Sequence, residues 1–135
     1  MVFADSSALI AGCDPTDADH ARAARAWWDA KAARERVVTT NLVFAETVTY
    51  VRRRVGWSAS RTLGDSLLRS RGVEIAVVDR ERFEAGWREL LRSGDPTLSL
   101  CDAVSFVVMR ERGIRRALTF DRHFTEAGFE TLRVE

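Results

Sequence analysis

The segment Ala117-Leu118-Thr119-Phe120-Asp121-Arg122-His123-Phe124 passes from an apolar run to a carboxylate and then into a helical pattern. The chain opens in a similar way, with Val2-Phe3-Ala4-Asp5 followed by a short helical pattern. In an open parallel sheet, the residues that follow the strands collect at one edge, where helices begin and ligands bind. These two segments therefore predict an α/β fold with Asp5 and Asp121 at the same edge.

Short apolar runs alternate with helical patterns along the rest of the chain, which is typical of an α/β domain with a mainly parallel sheet. Four glycines, at positions 56, 72, 113 and 128, are expected to cap helix C-termini. We expect a sheet of about five strands, at Val2 to Asp5, Val37 to Thr39, Val73 to Val78, Ala117 to Phe120 and Thr131 to Val134. Helices are expected at Ser7 to Ala11, Asp17 to Ala33, Leu42 to Val55, Ala59 to Arg71, Arg80 to Ser93, Cys101 to Arg112 and Arg122 to Ala127.

Length and composition predict one domain over residues 1–135, because 135 residues with 46% hydrophobic content can bury a substantial core. The 21 basic and 20 acidic residues leave a net charge of +1, which argues against coating nucleic acid by bulk charge. Cys13 and Cys101 lack the spacing of a zinc site or a disulfide framework. With no leader pattern and no run of about 18 apolar residues, a cytoplasmic protein without membrane contact is expected.

Two further acids are expected at the same edge of the sheet. Asp102 lies in the first turn of the helix after Ser99, and Glu46 lies in the first half of the helix after the second strand. Asp5, Asp102 and Asp121 each have a simpler interpretation as helix caps, and Ser99 with Asp102 resembles a capping box. Taken one at a time, those three acids favour the structural interpretation.

Glu46 has no such interpretation within its own helix. Its neighbours one turn away are Leu42, Val43, Thr49 and Tyr50, so its carboxylate is expected on a buried stripe. A buried carboxylate costs several kcal/mol unless a cation pairs with it. No basic residue lies within a turn, so a partner from elsewhere is needed.

Together, Asp5, Glu46, Asp102 and Asp121 predict a site for divalent cations. Carboxylates that converge repel one another unless cations lie between them. Oxygen ligands of this kind select Mg²⁺ or Mn²⁺. Such ions activate water and stabilise the oxygens of an in-line displacement at phosphorus. The pattern therefore favours a metal-dependent hydrolase of phosphodiesters.

The chain resembles the PIN-domain family, in particular the toxin ribonucleases of the VapC type. The resemblance is strongest in Leu98-Ser99-Leu100-Cys101-Asp102-Ala103-Val104-Ser105-Phe106-Val107-Val108-Met109 and in the segment from Ala117 to Phe124. The opening Phe3-Ala4-Asp5-Ser6-Ser7 and the helix with Asn41 to Glu46 follow in the same order. The similarity covers nearly the whole chain, although Cys101 stands where another small residue is expected.

The resemblance implies a three-layer α/β/α fold and an endoribonuclease with Mg²⁺ or Mn²⁺ at the four acids. It also implies second-shell or water-binding roles for Ser6, Ser99 and Thr119. As a toxin of a toxin–antitoxin system, the protein would cut RNA, bind a small antitoxin and form a homodimer. Trp27 and Trp28 could serve such an interface, although Trp27, Trp28, Trp57 and Trp87 are more simply assigned to the core. Arg122 is the first candidate for an RNA contact.

Other functions remain open at this point. His20 and His123 could act as acid and base in a metal-free ribonuclease, but solvated or packing roles suit them better. A receiver-like, Mg²⁺-binding signalling domain has a similar element order. It would need a paired acid after the first strand and a late lysine, whereas Asp5 is single and Lys31 is the only lysine. A catalytically inactive RNA-binding module is the remaining alternative.

Overall fold

The structure is a computed structural model, and it describes residues 1–133. Its parallel strands pair in the order β3-β2-β1-β4. The strands are β1 (Val2–Ala4), β2 (Val37–Thr40), β3 (Val73–Ala76) and β4 (Ala117–Leu118). The helices are α1 (Ser6–Cys13), α2 (His20–Ala32), α3 (Asn41–Arg54), α4 (Trp57–Arg69), α5 (Arg80–Ser93), α6 (Leu100–Glu111) and α7 (Arg122–Glu126).

The expected α/β architecture with a parallel sheet is confirmed. Within residues 1–133 the sheet has four strands, against about five expected. The fifth, Thr131 to Val134, extends beyond the described residues, and its described part is not a strand. In its place an isolated bridge joins Arg116 and Glu130.

Most element boundaries lie within two residues of those expected, and the largest difference is at the start of α2. This helix begins at His20 rather than Asp17. The preceding residues form side-chain turns, in which Asp14 accepts from the Thr16 N–H at 2.9 Å and Asp17 accepts from the Asp19 N–H at 2.8 Å. Such local hydrogen bonds compete with those of a helix, so the helix begins later in the chain.

The expectation that Gly72 caps a helix was wrong. Helix α4 ends at Arg69, and Ser70 takes the C-cap position in an extended conformation. Gly113 and Gly128 have the positive φ angles, 67° and 96°, that the capping interpretation requires. Gly56 adopts a φ of 145° between α3 and α4, a conformation that side chains rarely allow.

The helices pack in two groups, α1 to α4 and α5 to α7. The second group is held closely at Gly86, because a Cβ there would lie 2.3 Å from Val104 Cγ2 and 3.0 Å from Val104 Cα. This approach holds α5 against α6. No helix within residues 1–133 is both long enough and apolar enough to cross a membrane.

An aromatic cluster anchors the short helix α7. Phe124 is fully buried, stacks on Phe3 of β1 at 6.3 Å and meets the edge of Phe106 of α6 at 4.9 Å. Since aromatic pairs in these arrangements stabilise the core beyond their buried area, the turn that precedes α7 is fixed against both β1 and α6. The acids carried by those three elements are therefore brought together.

Candidate active site

Asp5 is the most buried acid of the site, with 1% of its surface exposed. It follows β1 and caps α1, accepting from the Ser7 N–H at 3.4 Å. Its carboxylate also accepts from the hydroxyls of Thr119 at 2.8 Å and Ser7 at 3.1 Å. Burial raises the pKa of Asp5 in spite of these hydrogen bonds. The cap interpretation and the site interpretation thus apply to the same residue.

Thr119 connects the ends of β1 and β4. Its hydroxyl donates to Asp5 and accepts from the Asp121 N–H at 3.0 Å. Ser7 Oγ lies 3.0 Å from Thr119 Oγ1 and accepts from the Phe120 N–H at 2.9 Å. These bonds hold Asp5 and the turn before α7 in one arrangement.

The serines differ in how closely they support the acids. Ser99 caps α6 and accepts from the Asp102 N–H at 3.0 Å. Ser6 Oγ lies 3.5 Å from Asp5 Oδ1, at the limit of a hydrogen bond. Ser7, which was not among the predicted residues, makes the stronger contacts. The sequence Asp5-Ser6-Ser7 could have indicated this contact, because a hydroxyl two residues after a capping aspartate can donate a hydrogen bond to its carboxylate.

Asp102 lies in the first turn of α6 and is 7% exposed. Burial first, and then the nearby charges of Asp5 and Asp121, raise the pKa of Asp102 to about 7, while hydrogen bonds with Ser99 act in the opposite direction. The three aspartates therefore lie close enough to repel one another. A largely buried carboxylate with a raised pKa is a strong candidate for a catalytic or metal-binding residue.

His123 completes a cluster with Asp102 and Asp121, and one possible ligand atom from each lies within 4.8 Å of the others. The Nδ1 of His123 is 2.6 Å from Asp121 Oδ1, and its Nε2 is 2.8 Å from Thr97 Oγ1. Asp95 Oδ2 is also 3.3 Å from Nε2. The expected solvated role was wrong, since the side chain is only 11% exposed, and polar groups engage both nitrogens.

Glu46 is exposed, so the burial argument made for it was wrong. The buried residues of α3 are Val43, Thr47 and Val51. They form a stripe at a spacing of four residues that leaves Glu46 on its flank. Sequence spacing cannot decide how wide a buried stripe is, because the packing partners of the helix set its edges.

The structure nevertheless places Glu46 near the other acids. Its carboxylate lies beside the thiol of Cys101, the residue before Asp102. Burial first, and then the charges of Glu46, Asp5 and Asp102, raise the pKa of that thiol. Glu46 thus approaches the aspartate cluster from the solvent side.

The donor set fits a hard divalent cation. It consists of carboxylate oxygens at the carboxyl edge of a parallel sheet, with one imidazole beside them. Oxygen donors of this kind bind Mg²⁺ and Mn²⁺, and imidazole is also compatible with transition metals. A cation at these residues would relieve the repulsion that raises the pKa of Asp102.

The two histidines are hydrogen-bonded to separate groups of the chain. His20 is bonded through Nδ1 to the Ala11 carbonyl at 2.8 Å, at the start of α2. His123 is held by Asp121 and Thr97. Their separate bonding supports the carboxylate site over a histidine mechanism.

The tryptophans were assigned to the core, and three of them are on the surface. Trp28, Trp57 and Trp87 are 70%, 56% and 48% exposed. Trp27 packs against the core as expected. Amphipathic helices place aromatic residues outward where a partner can cover them, and a sequence does not show which helix face is covered.

The fold has counterparts among known proteins. The PIN domain family model matches residues 2–130, so this chain belongs to the PIN-domain family. The 23S rRNA-specific endonuclease VapC20 of Mycobacterium tuberculosis, strains CDC 1551 / Oshkosh and H37Rv, is 37% identical over 135 residues, covering all of both chains. The crystal structure of Mycobacterium tuberculosis VapC20, described as a sarcin-ricin loop cleaving toxin, superposes with a TM-score of 0.87 and 34% identity over 96% of each chain.

Proposed function

We propose that this chain is a divalent-metal-dependent endoribonuclease and the toxin of a toxin–antitoxin pair, acting as one domain over residues 1–135. The observation that carries the proposal is the aspartate cluster, in which burial first, and then the charges of Asp5 and Asp121, raise the pKa of Asp102. Carboxylates that repel one another in this way are typical of sites where a cation binds between them or where a reaction needs the raised pKa. The full-length similarity to VapC20 supports the ribonuclease activity.

In this proposal Asp5, Glu46, Asp102 and Asp121 hold Mg²⁺ or Mn²⁺. When bound, the cation activates water and offsets the charge that develops at the scissile phosphate. Thr119 and Ser7 hold Asp5 in place, and Ser99 fixes the start of the helix with Asp102. Ser6, Ser99 and Thr119 are proposed to support the metal ligands or to bind water beside them, and we add Ser7 to this group.

The substrate is proposed to be a single-stranded loop of a structured RNA in the cytoplasm. VapC20 is named for 23S rRNA and for cleavage of the sarcin-ricin loop. RNA loops expose bases and backbone that a duplex hides, so a small open site can reach them. Which loop this chain selects is a question for the cleavage assay below.

The partners proposed are a small antitoxin that covers the acids and a second copy of the chain. Phe83, Trp87 and Leu91 are exposed at a spacing of four residues along α5. This apolar stripe supports the homodimer, since exposed aromatic rows on a helix are commonly covered by another chain.

A cleavage assay with analysis of the product ends tests this function. Cleavage of structured RNA is expected to stop in excess EDTA and to return with Mn²⁺, leaving a 5′-phosphate and a free 3′-hydroxyl. Undiminished cleavage in EDTA, or a cyclic phosphate product, would contradict the metal mechanism. Binding without cleavage under all conditions would favour the inactive RNA-binding module. Membership of the PIN-domain family does not support a receiver-like signalling domain.

A further inference from the structure

An open groove runs along α3 directly from the proposed metal ligand Glu46. Its volume is about 630 Å³, and its lining residues are Ala45, Glu46, Thr49, Tyr50, Arg53 and Arg54. Glu46, Thr49, Tyr50 and Arg53 follow the spacing of a single helix face. This shallow groove, called here the α3 groove, therefore includes one residue of the candidate active site, Glu46.

The arginines of the α3 groove are not neutralised by carboxylates of their own chain. Within residues 1–133, neither Arg53 nor Arg54 makes a salt bridge, whereas Arg61 is paired with Asp65 at 3.8 Å and Arg82 with Glu111 at 2.7 Å. Both groove arginines are exposed. Free guanidinium groups suit phosphate oxygens, with which they form paired hydrogen bonds.

Tyr50 supplies an aromatic face between Glu46 and these arginines. Its side chain is 44% exposed, and the Arg54 guanidinium lies 6.0 Å from the ring centroid. Proteins that bind single-stranded RNA stack its bases on aromatic side chains and contact its phosphates with nearby arginines. Arg53 follows Glu46 by about 10 Å along the helix axis. A nucleotide next to the scissile phosphate can span that distance.

We propose that the α3 groove is the subsite for the RNA strand that flanks the scissile phosphate. An unpaired base stacks on Tyr50, and Arg53 binds the adjoining phosphate while Arg54 supports the ring. The exposure of Glu46 follows from this role, because Glu46 must face both the cations and the incoming strand. This inference rests on the proposed ribonuclease function.

Binding measurements on the inactive variant Asp102→Asn separate the groove from catalysis. The probe is a fluorescently labelled hairpin RNA with a single-stranded loop, titrated at several salt concentrations. Adding Tyr50→Ala is expected to weaken binding by about 5- to 140-fold, since stacking contributes roughly 1–3 kcal/mol per base. Tyr50→Phe keeps the ring and is expected to bind like the parent.

Arg53→Ala tests the phosphate contact, and Arg69→Ala is its matched control. Both arginines are exposed in the last turn of a helix, but Arg69 precedes β3 and so lies at the opposite edge of the sheet from the acids. Arg53→Ala is expected to lower the slope of log affinity against log salt by about one. Arg69→Ala is expected to leave that slope unchanged.

Kinetics of the active enzyme distinguish the two proposals. Tyr50→Ala and Arg53→Ala are expected to raise KM several-fold and to leave kcat near the parent value. If the parent cleaves RNA and these variants cleave it with unchanged KM, the groove proposal fails and the nuclease proposal stands. If the parent neither binds nor cleaves RNA with Mn²⁺, both fail. A changed molar mass of Tyr50→Ala by light scattering, with unchanged RNA affinity, would assign the groove to a protein interface instead.

Discussion

The Asp5 region and the Glu46 region both belong to the proposed metal site, but they are built differently. Asp5 is 1% exposed and receives hydrogen bonds from Thr119 and Ser7. Glu46 is exposed on the flank of α3, at the end of an open groove. The difference supports the proposal that the buried side of the site holds the cations and the open side admits the substrate.

The largest effect is expected from paired substitutions that compare these two regions. Asp5→Asn is expected to reduce RNA cleavage by about 1,000-fold or more, because a metal ion contributes several kcal/mol to the transition state. Glu46→Gln is expected to cost less, roughly 10- to 100-fold, since water partly screens its charge. Steady-state cleavage rates and Mn²⁺ calorimetry measure both. Circular dichroism serves as the control for folding, and equal losses of Mn²⁺ affinity would show that the two regions do not differ.

A smaller effect is expected at His123, which joins Asp121 to Thr97 and Asp95. His123→Ala removes the imidazole contact with the Asp121 carboxylate and leaves only the backbone N–H of residue 123 to hold it. We expect Mn²⁺ affinity to fall by about 10- to 100-fold, as for other residues that orient metal ligands. Calorimetry with Mn²⁺ in the absence of RNA gives this value.

The matched variant His123→Asn keeps a short side chain with an N–H donor toward Asp121. It is expected to recover part of the lost Mn²⁺ affinity. If His123→Ala binds Mn²⁺ as tightly as the parent, the imidazole does not position Asp121.

The smallest effect concerns the stability of the metal-free protein. The pKa of Asp102 is raised to about 7 in the folded state, so the folded protein disfavours the charged carboxylate. The resulting penalty is complete above about pH 7 and is relieved as the pH falls toward the unfolded pKa. The free energy of unfolding is therefore expected to rise as the pH is lowered from about 8 to about 6.

Asp102→Asn removes that ionisation. In EDTA at about pH 8 it is expected to raise Tm by roughly 3–6 °C, corresponding to about 1–2 kcal/mol. Its thermal stability should also vary less with pH than that of the parent, as followed by calorimetry. A lower Tm for the variant would mean that hydrogen bonds to the carboxylate outweigh the repulsion.

Much of the fold could be predicted from the sequence, because strand and helix periods are local properties. The order of elements was correct through α7, and α5 was placed over Arg80–Ser93 as observed. The expected fifth strand was not found in the described residues, since an apolar run does not determine whether a neighbouring strand is present to pair with it. The start of α2 was missed where aspartate side chains formed local turns.

The candidate site was predictable in its acids but not in their surroundings. Asp5 and Asp121 follow strands, and chain order alone placed them at one edge of the sheet. The contacts of His123 with Thr97 and Asp95 join residues 26 and 28 positions apart in the chain, which no local pattern indicates. The burial assigned to Glu46 was wrong for a related reason, because the packing of α3 set the edge of its buried stripe.

The sequence by itself determined the alternation of strands and helices, the acids that follow the strands, and the starts of most helices to within two residues, since these depend on neighbours along the chain. Tertiary structure alone decided that Asp102 is buried beside two other aspartates, that His123 closes onto Asp121, and that Glu46 opens toward a groove with uncommitted arginines. Burial, charge repulsion and hydrogen bonding between distant residues depend on how the elements pack, and packing is a property of the whole fold.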